Sequence, residues 1–236
     1  MGNMKVSEII VRILELRGYK HVFMVTGGGS MHLNDSFGRS KMISVVPLHH
    51  EQSCSIAAES YYRTANLPAI VNVTSGPGGI NTLTGVYGAY VDSIPLIIIS
   101  GQVRSDHLVK NIGRHLRQFG DQEADIISIS KPITKSSIQL TRRMDIVKVI
   151  NDQITHAISD RPGPVWIDIP LDIQAAELNI SMKELTAKTK KVSINRQAVS
   201  KEQINQLEKL QDMLIEAKRP IIIAGNGIRL SNSVNK

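Results

Sequence analysis

The feature that most constrains the fold is an alternation. Short apolar segments of strand length, rich in β-branched residues, are each followed by a stretch with helical periodicity. Residues 21–25, 43–48, 69–74, 95–100 and 164–169 are the strand-like runs, and apolar residues recur at helical spacing in 31–37, 51–63, 79–90 and 144–159. A preceding helix is marked by Ile9, Ile10, Ile13, Leu14 and Leu16, with Gly18 as its stop. Strands apolar on both faces must be covered on both faces, and helices between strands let them run parallel. The pattern therefore predicts an α/β fold, a doubly wound parallel sheet with helices on both faces. Residues 121–130 read as a short helix and 131–140 as a strand.

After Asp172 the periodicity fades. Residues 173–200 are polar and basic, and we read them as an interdomain linker. A helix restarts over 202–217 and a strand follows at 220–225 (PIIIAG). One helix and one strand cannot enclose a core, so 201–236 is expected to be the incomplete start of a second α/β domain, after a first domain at 1–172.

Composition excludes several classes. No apolar run approaches the ~18–20 residues that span a bilayer, so no membrane partner is expected. The N-terminus lacks a signal-peptide core, and the single cysteine, Cys54, suits a reducing, cytoplasmic compartment. The formal charge of +7 raises the question of nucleic acid. Many of the positive charges fall late, at Lys183, Lys188, Lys190, Lys191, Arg196 and Lys201, and aromatics make up only 4% of the chain. That stretch reads as a solvated basic linker, with no stacking platform for bases.

In open parallel sheets, ligands bind beyond the C-terminal ends of the strands. The loops there are unusual: Thr26–Ser30 (TGGGS), His49–Gln52 (HHEQ), Ser75–Gly79 (SGPGG) and Gly101-Gln102. Consecutive glycines let a ligand approach the backbone closely. Neither glycine loop carries the lysine of a P-loop or the GxGxxG spacing of a dinucleotide site, so taken alone these turns are more often tight packing than ligand sites. Glu51 is placed at a strand end and a helix start, where the helix dipole favours an anion. Taken alone, it is either a ligand-facing carboxylate or an ordinary first-turn glutamate. His49 and His50 are adjacent and therefore point apart, and with no HExxH or CxxC nearby no protein-ligated metal is expected. His50 reads as a site-lining or satisfied polar group, and Cys54 as a small core residue.

Several segments in order carry a resemblance to a known family. They are VFMVTGGGS, LHHEQ with Ala57–Tyr61 (AAESY), VTSGPGGINTLTGVYGAYVDSIPLIIISGQ, QEADIISISKPITK, RPGPVWIDIPLD and RPIIIAGNGIRL. Together they resemble the N-terminal half of the acetolactate synthase-like family of thiamine-diphosphate enzymes. The resemblance implies that the first domain binds the aminopyrimidine of thiamine diphosphate at a dimer interface. The glutamate matching Glu51 would bond N1′ of that ring, favouring the 4′-imino form that takes the proton from C2. Gly27 and Gly28 would approach the cofactor, Thr74, Pro77 and Asn81 would line the pyrimidine, and Gln122 would stand beside the reaction centre. Arg161 matches an arginine that contacts FAD in members that carry it.

The resemblance further implies a 2-oxo acid substrate, decarboxylase or carboligase chemistry, and a homodimer or a pairing with a chain carrying the diphosphate-binding domain. In the family, Mg²⁺ and diphosphate are held by a Gly-Asp-Gly segment that this sequence does not contain; Gly120-Asp121-Gln122 lacks the final glycine. The chain is thus expected to supply the pyrimidine half of a site and to be inactive alone. The alternative expectation is a non-catalytic protein that uses the same face to pair with a full-length or split partner. Two positions depart from acetolactate synthases: Asp121 stands where they have phenylalanine, and Leu171 where they have lysine. Both departures alter the charge and shape of the substrate side.

Overall fold

The structure is a computed structural model that describes residues 2–113, 115–189, 199–231 and 233. The chain divides into two units, Met1–Val192 and Ser193–Lys236.

The first unit begins with β1 (Asn3–Lys5), α1 (Val6–Leu16), β2 (His21–Met24), α2 (Met31–Arg39), β3 (Ser44–Pro47) and α3 (Glu51–Ala65). It continues with β4 (Ala69–Val73), α4 (Pro77–Val91), β5 (Leu96–Gln102), α5 (Val109–Ile112) and α6 (Ile126–Ser130). Next come β6 (Ser136–Gln139), α7 (Ile146–Ile158), β7 (Val165–Pro170), α8 (Leu171–Ala175), β8 (Glu177–Asn179) and α9 (Met182–Lys188). Six strands form one parallel sheet in the order β3-β2-β4-β5-β7-β6, as the alternation predicts.

The strands sort their side chains by period two into two cores. Val22, Met24, Ile70, Ile97, Ile99, Val165, Ile167 and Ile169 join one core with α1, α2 and α7. Phe23, Ala69, Val71, Val73, Leu96, Ile98 and Trp166 join the other with α3, α4 and α6. Close contact between α3 and α4 depends on Gly85, where a Cβ would lie 2.3 Å from Ser55 Oγ. Among the helices of the described residues, none is long and apolar enough to cross a membrane.

Three expectations change. First, β3 is not buried on both faces: among the described residues it pairs only with β2, and Val45 is exposed. An edge strand needs cover only where a neighbour exists.

Second, the reading of 173–200 as linker fails over its first part. β8 pairs antiparallel with β1, and Ile173, Ile180 and Leu185 are buried in the first core. Short, isolated apolar residues in a polar stretch do not show periodicity, yet each fills a position against α1 or α7. The remainder, 190–198, lies outside the described residues. Leu185→Ala is expected to cost about 2–5 kcal/mol in urea denaturation, the usual range for truncating a buried leucine. A tether would show no change.

Third, 220–225 is not a strand. The second unit holds α10 (Lys201–Glu216), opened by a Ser200–Gln203 capping box, and α11 (Gly227–Leu230). Ile221, Ile222 and Ile223 are 87, 81 and 92% exposed. A β-run with no partner among the described residues has no ladder to join.

Candidate active site

β2 leads into α2, whose Leu33 and Phe37 belong to the first core, whereas β4 leads into α4, whose Val86 and Ala89 belong to the second. β2 and β4 are neighbours. Their outgoing connections therefore diverge to opposite faces, which opens a crevice at their C-terminal ends.

One wall of this crevice is the glycine loop. Gly27 is extended (φ −169°) and Gly28–Ser30 form one 3₁₀ turn. A Cβ on Gly27 would lie 2.5 Å from Thr74 Cβ, so this glycine packs directly on Thr74, whereas a Cβ on Gly28 would meet nothing within 4 Å. The Gly29 amide donates to Thr74 Oγ1 (3.0 Å). The Gly27 carbonyl accepts from Asn34 Nδ2 and Ser30 Oγ, and buried Asn72 donates to Asn34 Oδ1 (2.8 Å). Gln174 Nε2 donates to the Gly29 carbonyl (2.7 Å). The loop is pinned on three sides and open at Gly28.

The facing wall is the paired starts of α3 and α4. His50 caps α3, its Nδ1 accepting from the Gln52 amide (3.1 Å); this is a satisfied polar role, and no His/Cys/Asp/Glu cluster fit to hold a metal occurs among the described residues. Glu51, half-buried, opens α3. Its Oε2 accepts from Asn81 Nδ2 on α4 at 3.1 Å. A Cβ on Gly78 would lie 2.9 Å from Thr74 Cγ2 and 3.5 Å from Glu51 Oε1, so Gly78 keeps clear the space between these two side chains. Pro77 is the first residue of α4, where a missing N–H costs nothing.

Gln122 joins this group through its backbone. It has a positive φ of 54°, and its carbonyl oxygen would lie 1.9 Å from a Cβ on Gly76. Gly76 itself is at φ +55°. The residue before Pro77 and the Gln122 peptide therefore pack face to face.

The structure thus brings together Gly27, Gly28, Glu51, Thr74, Pro77, Asn81 and Gln122. Arg161 stands apart. Its Nε donates to Ser93 Oγ (2.7 Å) and its Nη2 to the Val91 carbonyl, at the far end of α4. Fifteen helical residues separate that end from the crevice, a length of roughly 20 Å. Cys54 is buried; burial first, then the Glu51 charge, pushes its thiol up to about 12, so it is a core residue and no nucleophile. Asp121 is exposed, and half-buried Leu171 starts α8 at the end of β7.

Sequence reasoning missed the polar residues inside the strands, Asn72 in β4, Ser100 in β5 and Asp168 in β7, and it placed Gln102, which ends β5, in a loop. All four are buried. A lone polar residue in an apolar strand was the available signal. Burial raises Asp168 to about 6, against the lowering by hydrogen bonds from Ser100, Gln139 and Gln102 and by the Lys110 charge. The folded form holds this proton more tightly than the unfolded chain. This group's contribution to stability is therefore full below the ordinary carboxylate range and lost as pH rises through about 6.

A doubly wound sheet with a glycine loop and a paired glutamate at its switch point has the architecture of an α/β domain built to bind a ligand at its strand ends. Residues 4–129 match the family described as "Thiamine pyrophosphate enzyme, N-terminal TPP binding domain", and the chain belongs to that family. It is 36% identical over 228 residues to the acetolactate synthase large subunit of Buchnera aphidicola (strain APS), covering 96% of this chain and 38% of that protein. The large subunit of Lactococcus lactis is 33% identical, with 97% of this chain and 38% of the relative covered. The isozyme 1 large subunit of Escherichia coli is 35% identical, with 94% and 37% covered. The chain thus spans little more than a third of the length of these relatives.

Proposed function

We propose that this chain provides the pyrimidine-binding, cofactor-activating half of a thiamine-diphosphate-dependent 2-oxo acid decarboxylase or carboligase. The observation that carries the reading is the Glu51–Asn81 pair facing the open crevice. A neutral ring nitrogen such as N1′ is an acceptor and needs a donor. With Oε2 engaged by Asn81, Oε1 is the oxygen of Glu51 that can hold a proton toward N1′. Gly78 keeps that space clear, Thr74 and the Gly27 peptide wall it, and open Gly28 admits a planar ring at the backbone. These residues fit the pyrimidine. When bound, thiamine diphosphate supplies the C2 nucleophile and electron sink for 2-oxo acid chemistry.

Because the sequence holds no Gly-Asp-Gly segment, we assign the diphosphate and its Mg²⁺, as the resemblance implies, to residues supplied from elsewhere. The neighbouring surface of α3 and α4 exposes Ile56, Ile80, Tyr87, Tyr90 and Val91, an apolar face suited to a second copy or to a chain carrying the diphosphate-binding domain. FAD, if used, would meet Arg161 outside the pyrimidine crevice.

Mixing tests the reading. The isolated chain with thiamine diphosphate, Mg²⁺ and pyruvate is expected to show no turnover. Addition of a chain carrying the diphosphate-binding domain is expected to restore it. Turnover by the isolated chain would contradict the proposal, and a stable complex without turnover would favour a purely interacting role.

A further inference from the structure

The segment that carries Gln122 has little regular structure of its own, yet it is held by the Glu123 carboxylate, which accepts from the Val109 amide (2.8 Å), and at three further points. The Gln122 carbonyl packs on Gly76, and a Cβ on Gly120 would lie 2.7 Å from Val103 Cγ2. The third point is Gln102, at the end of β5 and 1% exposed, whose Nε2 donates to the Ala124 carbonyl at 3.0 Å. The orientation of the Gln102 amide is itself fixed. Its Oε1 accepts from the Val103 amide (3.0 Å), and its Nε2 also donates to Asp168 Oδ2 (3.3 Å). Fully buried Asp168 is oriented in turn by Ser100 Oγ (2.6 Å) and Gln139 Nε2 (2.7 Å).

We propose that Gln102, anchored by Asp168, is a positioning residue that sets the Gln122 segment against the cofactor crevice; its consequence for catalysis rests on the reading of Gln122 as a site residue. A glutamine in a buried strand end would otherwise be a poor choice, since both amide atoms must be satisfied. Here every atom of it is, and one of its bonds leaves the sheet to reach the loop. The strained φ of Gln122 persists because the surroundings over-determine it.

The anchor has a built-in reporter. Trp166, the only tryptophan in the chain, donates from Nε1 to Ser100 Oγ (2.8 Å), and Ser100 donates to Asp168. The groups facing the carboxylate from β5, β6 and β7 are neutral. α4 and α6 carry no charged side chain, Lys110 of α5 reaches it through Gln139, and Glu123 and Asp125 flank Ala124 in the loop. A pH-dependent change in Trp166 emission that Asp168→Asn removes therefore reports Asp168.

The test is amide hydrogen exchange of residues 120–125 in the whole chain, with Trp166 emission followed from pH 8 to 5. Gln102→Met is expected to accelerate exchange in 120–125 about tenfold at pH 8, the effect of one lost buried hydrogen bond. Protection of β4 and β5 should be unchanged. Gln102→Asn, too short to reach Ala124, should do the same and serves if the methionine variant does not fold. In the unsubstituted chain, protonation of Asp168 should shift Trp166 emission, and Asp168→Asn should abolish that change. Exchange in 120–125 that is the same with and without the Gln102 amide would overturn the proposal. Faster exchange with unchanged turnover in the complemented assembly would uphold the positioning and remove Gln122 from the reaction.

Discussion

Glu51→Gln is expected to lower turnover in the complemented assembly by about 10²–10⁴-fold, the usual range for loss of a positioned acid–base group. The substitution preserves size and hydrogen-bonding reach. The Asn81 amide can still meet a carbonyl oxygen at residue 51, so the α3–α4 start should stay in place. What is lost is a group able both to hold a proton and to release it at a ring nitrogen. Stability by urea denaturation should change by no more than about 0.5 kcal/mol, as for surface substitutions away from buried networks. Kinetics of 2-oxo acid consumption check the prediction. A fall in stability matching the fall in rate would turn Glu51 into an ordinary helix-start residue.

Gly76→Ala carries the second large effect, and it works through geometry. Gly76 has φ +55° and ψ −116°, a combination that L-residues rarely adopt, and the added methyl would sit 1.9 Å from the Gln122 carbonyl oxygen. Neither partner can yield cheaply, because the obstructing atom is backbone and the Gln122 segment is tied to Gln102 and Val103. A loss of about 2–4 kcal/mol is expected in urea denaturation, from backbone strain and overpacking together. Turnover should fall further than the folded fraction accounts for, because relief of the clash moves Gln122. Gly28→Ala makes the contrast: its methyl would meet nothing within 4 Å, so stability should stay within about 0.5 kcal/mol. Cofactor affinity should nevertheless drop if the crevice admits a ring there.

Much of this was legible before any coordinates. The apolar strands and their spacing announce the parallel sheet, because a strand covered on both faces leaves few other solutions. The loops at the strand ends mark the site for the same reason. The Glu51–Asn81 contact was not legible, since 30 residues separate the partners in sequence and only the packing of α3 on α4 joins them. Arg161, which the resemblance assigns to FAD and not to the pyrimidine, reaches the end of α4 away from the crevice. Residues 173–189 looked like a tether because Ile173, Ile180 and Leu185 are too widely spaced to form a pattern; their burial comes from the surfaces of α1 and α7, which no local window contains. The 220–225 run failed in the opposite way. Its composition is that of a strand, but pairing requires a neighbour.

The most direct test of Glu51 as the chemical centre is proton–deuterium exchange at C2 of thiamine diphosphate, followed by NMR in the complemented assembly without substrate. The account predicts rapid exchange with Glu51 and exchange near the rate of the free cofactor with Glu51→Gln, at equal cofactor occupancy. Equal, rapid exchange in both assemblies would contradict it.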